Sequence, residues 1–478
     1  RRALAAFLAA LFALRLVALA VVPFTDTTEA RYAEIARRMA TSGDWITPWF
    51  ADGVPFWGKP PLHTWLSAAG MRLFGVGEVG GRILIFAVAC GMLAGLFRWL
   101  APRHGRDFAL AAVAVLASTA LFVVASAVVM TDLAMAAGVT LAMAGFWSLA
   151  HDDDDARLAG GVALFGGLAI GMLTKGPVAV VLTGLPIALW VALGRRWSSL
   201  RRVPWLWGLA LFLVLSAPWY VAAELKTPGF LRYFLVGEHI ERFLVSGWKG
   251  DLYGSGHAEP KGMIWAFWLL AALPWPLAAV ALAPGWRNIR AAWRADAQGW
   301  RLFLLLWAGA PMLLFTPAAN ILIPYVLPGL PAAAILLAQL WLDARGPEPD
   351  ETSRRLFAAV GGLVVVVGAG AVALSLAAPM LVASKSQKAL VAAAAAAAPG
   401  ATLNVLGKRS YSADFYSDGA AVTLSDMAGV AAMLSNERRD ALSVSADAVA
   451  ALPDDIVARL DQIGRYGRRV LFVEKAER

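Results

Sequence analysis

The sequence is poor in charged residues and in cysteine. Only 16% of its 478 residues are Asp, Glu, Lys or Arg, against roughly one quarter in soluble globular domains. Its single cysteine, Cys90, lies within an apolar run, which excludes an intramolecular disulfide. Long stretches that alternate apolar and polar residues are also absent. These shortages argue against a soluble globular chain and against a membrane protein built of strands.

Long apolar runs make up much of the chain. Hydrophobic residues make up 59% of the chain, and the mean hydropathy is +0.64. The runs recur near the length of roughly 20 residues that a helix needs to cross a bilayer, and a helix pairs its backbone polar groups internally. The sequence therefore predicts an α-helical integral membrane protein with about eleven spans. We place them near residues 3–23, 79–99, 107–127, 131–149, 158–174, 177–194, 204–222, 263–283, 301–316, 321–342 and 356–380.

The net charge is +9, and the positions of the basic residues along the chain indicate the membrane topology. Basic residues gather in alternate short loops, which the positive-inside rule makes cytoplasmic, and we therefore expect no nucleic-acid partner. The examples are Arg98, Arg103, Arg106, Arg195, Arg196, Arg201, Arg202, Arg287, Arg290 and Arg294. The same rule places residues 24–78, residues 223–262 and everything after about residue 381 on the outer face.

The chain divides into a membrane unit and a small domain. Residues 1–380 hold the predicted spans, and 381–400 is an alanine-rich stretch that is typical of a linker or a frayed helix. Residues 401–478 contain strand-like runs, "TLNVLG", "AAVTL", "ALSVS" and "RRVLFVEK", and helix-like runs such as "DDIVARLDQIG". We predict a small α/β domain there.

The first outer loop, residues 24–78, contains two amphipathic segments. Tyr32, Ile35 and Met39 form an apolar stripe in "TTEARYAEIARRM", which predicts a helix lying along the membrane surface. A second stripe follows in "PLHTWLSAAGMRLFG". The turn "GVPFWGKPP" between the two segments places Lys59 at the bilayer boundary.

Two carboxylates begin this loop, and two interpretations of them stay open. Asp26 could cap the first helix with Glu29 three residues on, in an arrangement like a capping box. A carboxylate beside lipid, with Arg31 and Lys59 within reach, could instead act as a general base while the cations hold an anionic group. The same Asp could cap and catalyse.

Further candidates lie in the second outer loop, residues 223–262, and at the outer ends of spans, where ionisable residues are often functional. They are His239, Arg242, His257 and Lys261 in the loop and Asp132 and Lys175 at the span ends. Two histidines could suggest zinc, but no compact ligand spacing such as H-E-x-x-H is present, so we predict no metal site and no cofactor. Several cations with one or two carboxylates suit a lipid phosphate that carries a polar group.

These motifs resemble those of a known family. The stretches "TEARYAEIARRM", "GDWITPWF" and "GVPFWGKPPLHTWL" resemble the first periplasmic loop of the GT-C superfamily of membrane glycosyltransferases. The resemblance is to bacterial relatives of protein O-mannosyltransferases and of the lipid A aminoarabinose transferase. It continues through "MTDLAM", "LTKGPVA", "GEHIERF" and "NILIPYVLPGLP", in order and on one face, over most of residues 20–335.

The resemblance implies a GT-C fold and an inverting glycosyl transfer at the periplasmic face of the bacterial inner membrane. The donor would be a polyprenyl-phosphate sugar, typically of undecaprenyl phosphate. The acceptor would be a hydroxyl or phosphate of lipid A, another lipid, a glycan or a protein. An Asp of the first outer loop would take the acceptor's proton, and Arg, Tyr and Lys would bind the leaving polyprenyl phosphate. We expect a monomer.

The family motif can be carried over by residue. Glu29, Arg31 and Tyr32 match its E-x-R-Y part, and Lys59 matches the lysine of its turn. The other proposed ligands of phosphate or acceptor are Asp132, Lys175, His239, Arg242, His257 and Lys261.

Two departures from the family pattern stand out. The aminoarabinose transferases have Asp directly before the Glu, where this chain has Thr28, and Asp26 lies two residues earlier. The base is therefore Asp26 or Glu29, with Asp26 leading. The relatives also have Glu before the turn lysine, where this chain has Gly58, so a metal site is not carried over.

Three other functions compete with this one. They are a flippase or transporter of lipid-linked sugars, a glycan polymerase or ligase, and a noncatalytic envelope scaffold. A transporter predicts broken helices and charged residues at the bilayer midplane, often in pseudo-symmetric halves. The charges of this chain gather at the outer face instead, which favours an enzyme.

Overall fold

Membrane helices make up most of the computed structural model, which describes residues 2–254, 257–346, 351–378, 384–436 and 438–475, except for the side chains of residues 154 and 352–354. In this part of the chain, eight helices are long and apolar enough to cross a membrane, which confirms a multi-pass membrane protein. They are Arg2–Val21, Glu78–His104, Asp132–His151, Arg157–Lys175, Pro177–Gly194, Trp205–Lys226, Ile323–Arg345 and Arg355–Ala377.

The predicted number of about eleven spans is not confirmed among the described residues. The helices Met263–Ala271 and Trp275–Arg294 make a ninth span only when they are counted together, and they meet at 87°. The helix Trp300–Phe315 has 16 residues, which is short for a span.

The predicted span 107–127 is broken, and the break has a local cause. The helix Arg106–Ala117 ends before Ser118, and a short helix, Ala120–Ala125, follows. The hydroxyls of Ser118 and Thr119 donate to carbonyl oxygens of the preceding turn at 3.1 and 2.9 Å. Such bonds compete with the helical backbone pattern, so the apolar run does not continue as one helix.

Aromatic rings form the centre of the membrane core. Trp190, Phe146 and Phe303 are at most 1% exposed. They come from three different membrane helices, and their ring centroids lie between 5.9 and 6.3 Å apart. Trp190 meets both phenylalanines edge to face, whereas Phe146 and Phe303 are stacked. Such aromatic contacts add to the burial of apolar surface and hold the three helices together.

The outer loops contain the predicted surface helices and several short elements. The first loop has the helices Thr28–Ser42 and Leu62–Phe74, joined by an antiparallel hairpin of β1 (Trp49–Ala51) and β2 (Val54–Pro55). The second loop has the helix Phe230–Arg232, the π-helix Tyr233–Glu241 and the helix Arg242–Leu244. The two loops contact each other, because Arg31 of the first donates to the carbonyl of Tyr253 in the second at 2.7 Å.

The C-terminal domain, residues 384–475, is an α/β domain on a five-stranded sheet. Its strands are β3 (Leu403–Leu406), β4 (Val422–Leu424), β5 (Ala441–Ser445), β6 (Leu460–Tyr466) and β7 (Arg469–Glu474), in the order β4-β3-β5-β7-β6. The first three are parallel, whereas β7 is antiparallel to both neighbours. Its helices are Lys388–Ala397, Tyr411–Tyr416, Met427–Leu434 and Asp454–Val457.

One part of this domain differs from the prediction. In "DDIVARLDQIG" only Asp454–Val457 is helical, because β7 supplies backbone partners that turn the rest of the run into β6. The stretch 381–400, for which the sequence left a linker or a frayed helix open, contains the helix Lys388–Ala397. Its Leu390 is 1% exposed in the domain core. Residues 381–383 lie outside the described residues.

The polar face of the helix Thr28–Ser42 is buried, which differs from a helix lying along the membrane surface. Glu34 is 1% exposed and Arg37 is 8% exposed. Arg37 donates to both carboxylate oxygens of Glu34, at 2.7 and 2.8 Å. A Cβ on Gly419 of the C-terminal domain would lie 2.5 Å from this guanidinium. The C-terminal domain therefore covers the charges that a helical projection places on the outside.

Asp26 is the residue that docks the C-terminal domain. Its carboxylate accepts from Ser410 Oγ at 2.8 Å, Ser412 N at 2.9 Å and Ser412 Oγ at 2.6 Å. Ser410 is the N-cap of Tyr411–Tyr416, so an acidic acceptor lies at the N-terminus of that helix. The helix Thr28–Ser42, which follows Asp26 in the sequence, has Thr27 as its N-cap. The interpretation of Asp26 as the cap of the first surface helix is therefore wrong.

A second group of contacts fixes the same domain to both ends of the first outer loop. The backbone N of Phe24 donates to Tyr416 Oη at 2.7 Å, and the rings of Phe24 and Phe415 meet edge to face at 4.8 Å. Glu78 accepts from Tyr416 Oη at 2.8 Å and from Lys388 Nζ at 2.6 Å. The domain therefore holds the start and the end of this loop at the same time.

Replacing both Ser410 and Ser412 by Ala is expected to loosen the C-terminal domain. The change removes two hydroxyl donors to Asp26, and a hydrogen bond to a charged group contributes about 1.5–3 kcal/mol. Limited proteolysis of the protein in detergent should then release the C-terminal fragment several times faster. Ser435→Ala is the control, since this hydroxyl donates within its own helix. Equal cleavage rates in the double variant and the control would contradict the docking role.

Candidate active site

An amphipathic cavity of about 200 Å³ lies between the second outer loop and the ends of membrane helices. Its polar lining is Lys59, Lys175, Glu238, His239, Arg242, Asn320 and Tyr325. Its apolar lining is Pro177, Val178, Val181, Phe243, Leu314 and Phe315. Val181 is 43% exposed, so the apolar side of the cavity reaches the outer surface of the helices. The cavity thus combines charged and apolar lining.

Three of the predicted cations, Lys59, Lys175 and Arg242, line this cavity. Lys59 Nζ is 2.8 Å from one oxygen of Glu238, and Arg242 Nη1 is 3.1 Å from the other. Arg242 Nη1 is also 3.3 Å from Asp251. Burial disfavours the charged form of Glu238, but Lys59 and Arg242 outweigh burial and lower its pKa. Glu238 is therefore a carboxylate that joins the two outer loops.

Lys175 pairs with Asp132 at the other side of the cavity, and both residues are predicted candidates. Asp132 also accepts from Thr131 Oγ1 at 3.1 Å. Lys175 Nζ lies 4.2 Å from the ring centroid of Tyr325. The sequence prediction missed Tyr325, although it lies in "NILIPYVLPGLP", one of the stretches that carry the family resemblance.

The turn at Gly176 brings the second outer loop against Lys175. Gly176 has a φ of +84°, and a Cβ there would lie 2.5 Å from the ring of Phe234, so this close approach requires glycine. His239 Nδ1 is 2.7 Å from the carbonyl oxygen of Phe234, and its Nε2 is 3.2 Å from that of Lys175. Burial lowers the pKa of His239. His239 thus lines the cavity as predicted, while its ring nitrogens face backbone carbonyls.

Tyr253 of the second outer loop holds the turn that carries Lys59. Its hydroxyl donates to Pro55 O at 2.7 Å and accepts from Trp57 N at 2.8 Å. Its carbonyl accepts from Arg31, a residue predicted to bind phosphate. Arg31 therefore joins the loops and is not among the residues that line the cavity.

Glu29, the second candidate base, is buried in an ion pair. Its Oε1 is 2.7 Å from Arg82 Nε and accepts from Val129 N at 3.2 Å. The side chain of Glu29 is 6% exposed and that of Arg82 is 1% exposed. Asp26 is held by the C-terminal domain, as described above. In this structure, the carboxylates of Asp26 and Glu29 both take part in structural hydrogen bonds or ion pairs. The role of either one as the base stays a prediction.

Three other predicted residues lie outside the cavity. Tyr32 is buried, and its ring lies 4.9 Å from that of His63. His257 and Lys261 are exposed. Within the described ranges, no three His, Cys, Asp or Glu residues are grouped closely enough to hold a metal ion.

Comparison with solved structures shows which fold the chain adopts. The crystal structure of ArnT from Cupriavidus metallidurans bound to undecaprenyl phosphate has a TM-score of 0.80, with 20% identity. The match covers 99% of this chain and 98% of that chain. The apo crystal structure of the same protein has a TM-score of 0.75 and covers 98% of this chain and 97% of that chain. The GT-C fold predicted from the sequence is therefore confirmed.

Sequence relatives narrow the class. Residues 2–234 match the family model described as dolichyl-phosphate-mannose-protein mannosyltransferase. The undecaprenyl phosphate-alpha-4-amino-4-deoxy-L-arabinose arabinosyl transferase of Edwardsiella ictaluri is 35% identical over 319 residues, which are 65% of this chain and 54% of the relative. That of Aeromonas salmonicida is 32% identical over 71% of this chain and 60% of the relative. The chain is thus related to the aminoarabinose transferases, and it spans little more than half the length of these relatives.

Replacing Arg82 by Met is expected to lower the thermal stability of the purified protein. The change leaves the carboxylate of Glu29 buried without its cation, and removing one partner of a buried ion pair costs about 3–5 kcal/mol. The midpoint of thermal unfolding in detergent should fall by several degrees. It should recover in part in the double variant Glu29→Gln/Arg82→Met. An unchanged midpoint in Arg82→Met would contradict this role of the pair.

Proposed function

We propose that this chain is an inverting glycosyltransferase that moves a sugar from a polyprenyl phosphate to an acceptor hydroxyl or phosphate. The observation that carries the proposal is the amphipathic cavity, whose lining includes Lys59, Lys175 and Arg242 together with Val178 and Val181. A ligand with both an anionic group and a hydrocarbon chain suits this mixed lining. A polyprenyl phosphate, such as undecaprenyl phosphate, has both.

The cations suit the leaving group of such a transfer. When the bond between sugar and phosphate breaks, the bridging oxygen and its electron pair leave with the phosphate, on which negative charge grows. Lys59 and Arg242 come from different loops and converge on one point, so they are placed to stabilise that charge. An inverting attack then needs one base for the acceptor's proton. For Asp26 to be that base, its carboxylate must give up the hydrogen bond from Ser410 or Ser412 and accept one from the acceptor hydroxyl instead.

The relatives indicate which donor to test first. Their names specify 4-amino-4-deoxy-L-arabinose and undecaprenyl phosphate, and the superimposed crystal structure has undecaprenyl phosphate bound. For this chain we propose that sugar or a related one, with lipid A, another lipid, a glycan or a protein as acceptor. The protein would act in the bacterial inner membrane with its site facing the periplasm. We also propose that it acts as a monomer.

Replacing Lys59 or Arg242 by Ala is expected to lower sugar transfer about 100-fold or more, because each stabilises charge that develops on the leaving phosphate. The assay measures undecaprenyl phosphate released when purified protein meets the lipid-linked sugar and acceptor membranes. Lys249→Ala is the matched control, since Lys249 is an exposed lysine of the same loop. Release by the wild type also excludes a flippase or a scaffold, neither of which breaks the sugar–phosphate bond. If Lys59→Ala and Arg242→Ala released undecaprenyl phosphate at the wild-type rate, the proposal would be contradicted.

Asp26→Asn and Glu29→Gln separate the two proposed bases. We expect Asp26→Asn to lower transfer about 100-fold or more, as loss of a general base does. Glu29→Gln should act mainly through the lost ion pair with Arg82 and lower the thermal midpoint. The Ser410→Ala/Ser412→Ala double variant keeps the Asp26 carboxylate and should retain transfer. Full transfer in Asp26→Asn with none in a folded Glu29→Gln would assign the base to Glu29.

A further inference from the structure

Glu238 occupies the position in the cavity where a phosphate would meet its cations. Its two carboxylate oxygens contact Lys59 at 2.8 Å and Arg242 at 3.1 Å, and its side chain is 3% exposed. A phosphate oxygen placed between the same two cations would need the same hydrogen-bond donors. Glu238 and a bound phosphate therefore exclude each other from these contacts.

The charges around the cavity balance without a ligand. The cations are Lys59, Lys175 and Arg242, and the carboxylates that pair with them are Asp132, Glu238 and Asp251. His239 also lines the cavity, and burial lowers its pKa, which disfavours a further positive charge there. A phosphate that entered while all these pairs persisted would bring an uncompensated negative charge into a largely buried site, which is costly.

We propose that Glu238 is an internal competitor of the phosphate for Lys59 and Arg242. Glu238 must release these two cations before the phosphate binds, and it displaces the phosphate from them afterwards. The inference rests on the proposed function for the identity of the ligand, a polyprenyl phosphate. An incoming sugar phosphodiester carries one negative charge and replaces the single charge of Glu238 on Lys59 and Arg242. The exchange keeps the charge of the cation pair balanced.

The same competition favours release of the product. A polyprenyl phosphate without its sugar is a monoester, whose charge near pH 7 is about −1.5 to −2. The nearby Glu238 repels this charge more strongly than that of the donor, but Lys59 and Arg242 also attract it more strongly, so the return of Glu238 to the cations is needed to displace the product. When Glu238 returns to Lys59 and Arg242, the site is balanced again and empty of phosphate.

Glu238 has a third partner besides the two cations. Tyr233 Oη donates to Glu238 Oε1 at 3.4 Å, and this bond can persist when the carboxylate leaves the cations. Both residues belong to the π-helix Tyr233–Glu241. Turns of this type are rare and occur often at functional sites. A small rotation of the side chain toward Tyr233 would open the space between Lys59 and Arg242.

The test is the affinity of Glu238→Gln for undecaprenyl phosphate in detergent micelles, measured by titration calorimetry at pH 7.5. The amide keeps the shape of the side chain and loses its charge, so we expect binding about tenfold tighter than in the wild type. Glu238→Asp keeps the charge and should bind within a few-fold of the wild type. Glu241→Gln is the matched control, because this exposed carboxylate of the same π-helix accepts from Trp248 instead of a cavity cation.

Weaker or unchanged binding in Glu238→Gln would overturn the inference. A residue that only holds Lys59 and Arg242 in place would weaken binding when its charge is lost, so the sign of the change separates the two roles. Thermal midpoints of all variants show whether they are folded. If the wild type transfers no sugar while Glu238→Gln still binds undecaprenyl phosphate more tightly, the proposed function fails and this inference stands.

Discussion

The pairing of buried charges at the membrane edge is the interaction on which the site depends. A lone ion in this position would be too costly to keep, because neither lipid nor the protein interior replaces its water. Except for Glu238 and Arg242, which are four residues apart, each pair ties together parts of the chain that are far apart in sequence, so the charges that form the site also bring its loops to one point. The pairs are Glu29–Arg82, Asp132–Lys175, and Glu238 with both Lys59 and Arg242.

Much of the fold could be predicted because it follows from local patterns. Apolar length predicts most membrane helices, and the periodicity of "TTEARYAEIARRM" predicts the first surface helix. Charge at a span end indicates Lys175, and charge in the second outer loop indicates Arg242, as cavity residues. Contacts that depend on the folded chain could not be predicted: β6 needs β7 as its partner, and Asp26 meets Ser410 across 384 residues. Tyr325 was missed because a tyrosine in an apolar stretch has no local signal.

The location of Asp26 bears on one departure from the family pattern, the presence of Thr28 where that pattern has an Asp. In the relatives the acidic residue directly precedes the glutamate, whereas here it lies two residues earlier and reaches the N-terminus of the helix Tyr411–Tyr416. The first outer loop and the C-terminal domain therefore share one carboxylate. If Asp26 takes a proton during transfer, the hydrogen bonds that dock the domain change in the same step. Under the proposal that Asp26 is the base, the docking contacts and the proton transfer would share a single side chain.

The apolar side of the cavity has a consequence for how a ligand arrives. Val181 is exposed on the outside of the helices and also lines the cavity, so a hydrocarbon chain in the cavity continues into the bilayer without crossing water. Such a ligand reaches the site by moving within the membrane plane. Its encounter rate then follows the number of molecules per unit of membrane area, and the volume of the surrounding solution has no direct effect. Adding lipid at a fixed amount of ligand dilutes it just as adding water dilutes a soluble substrate.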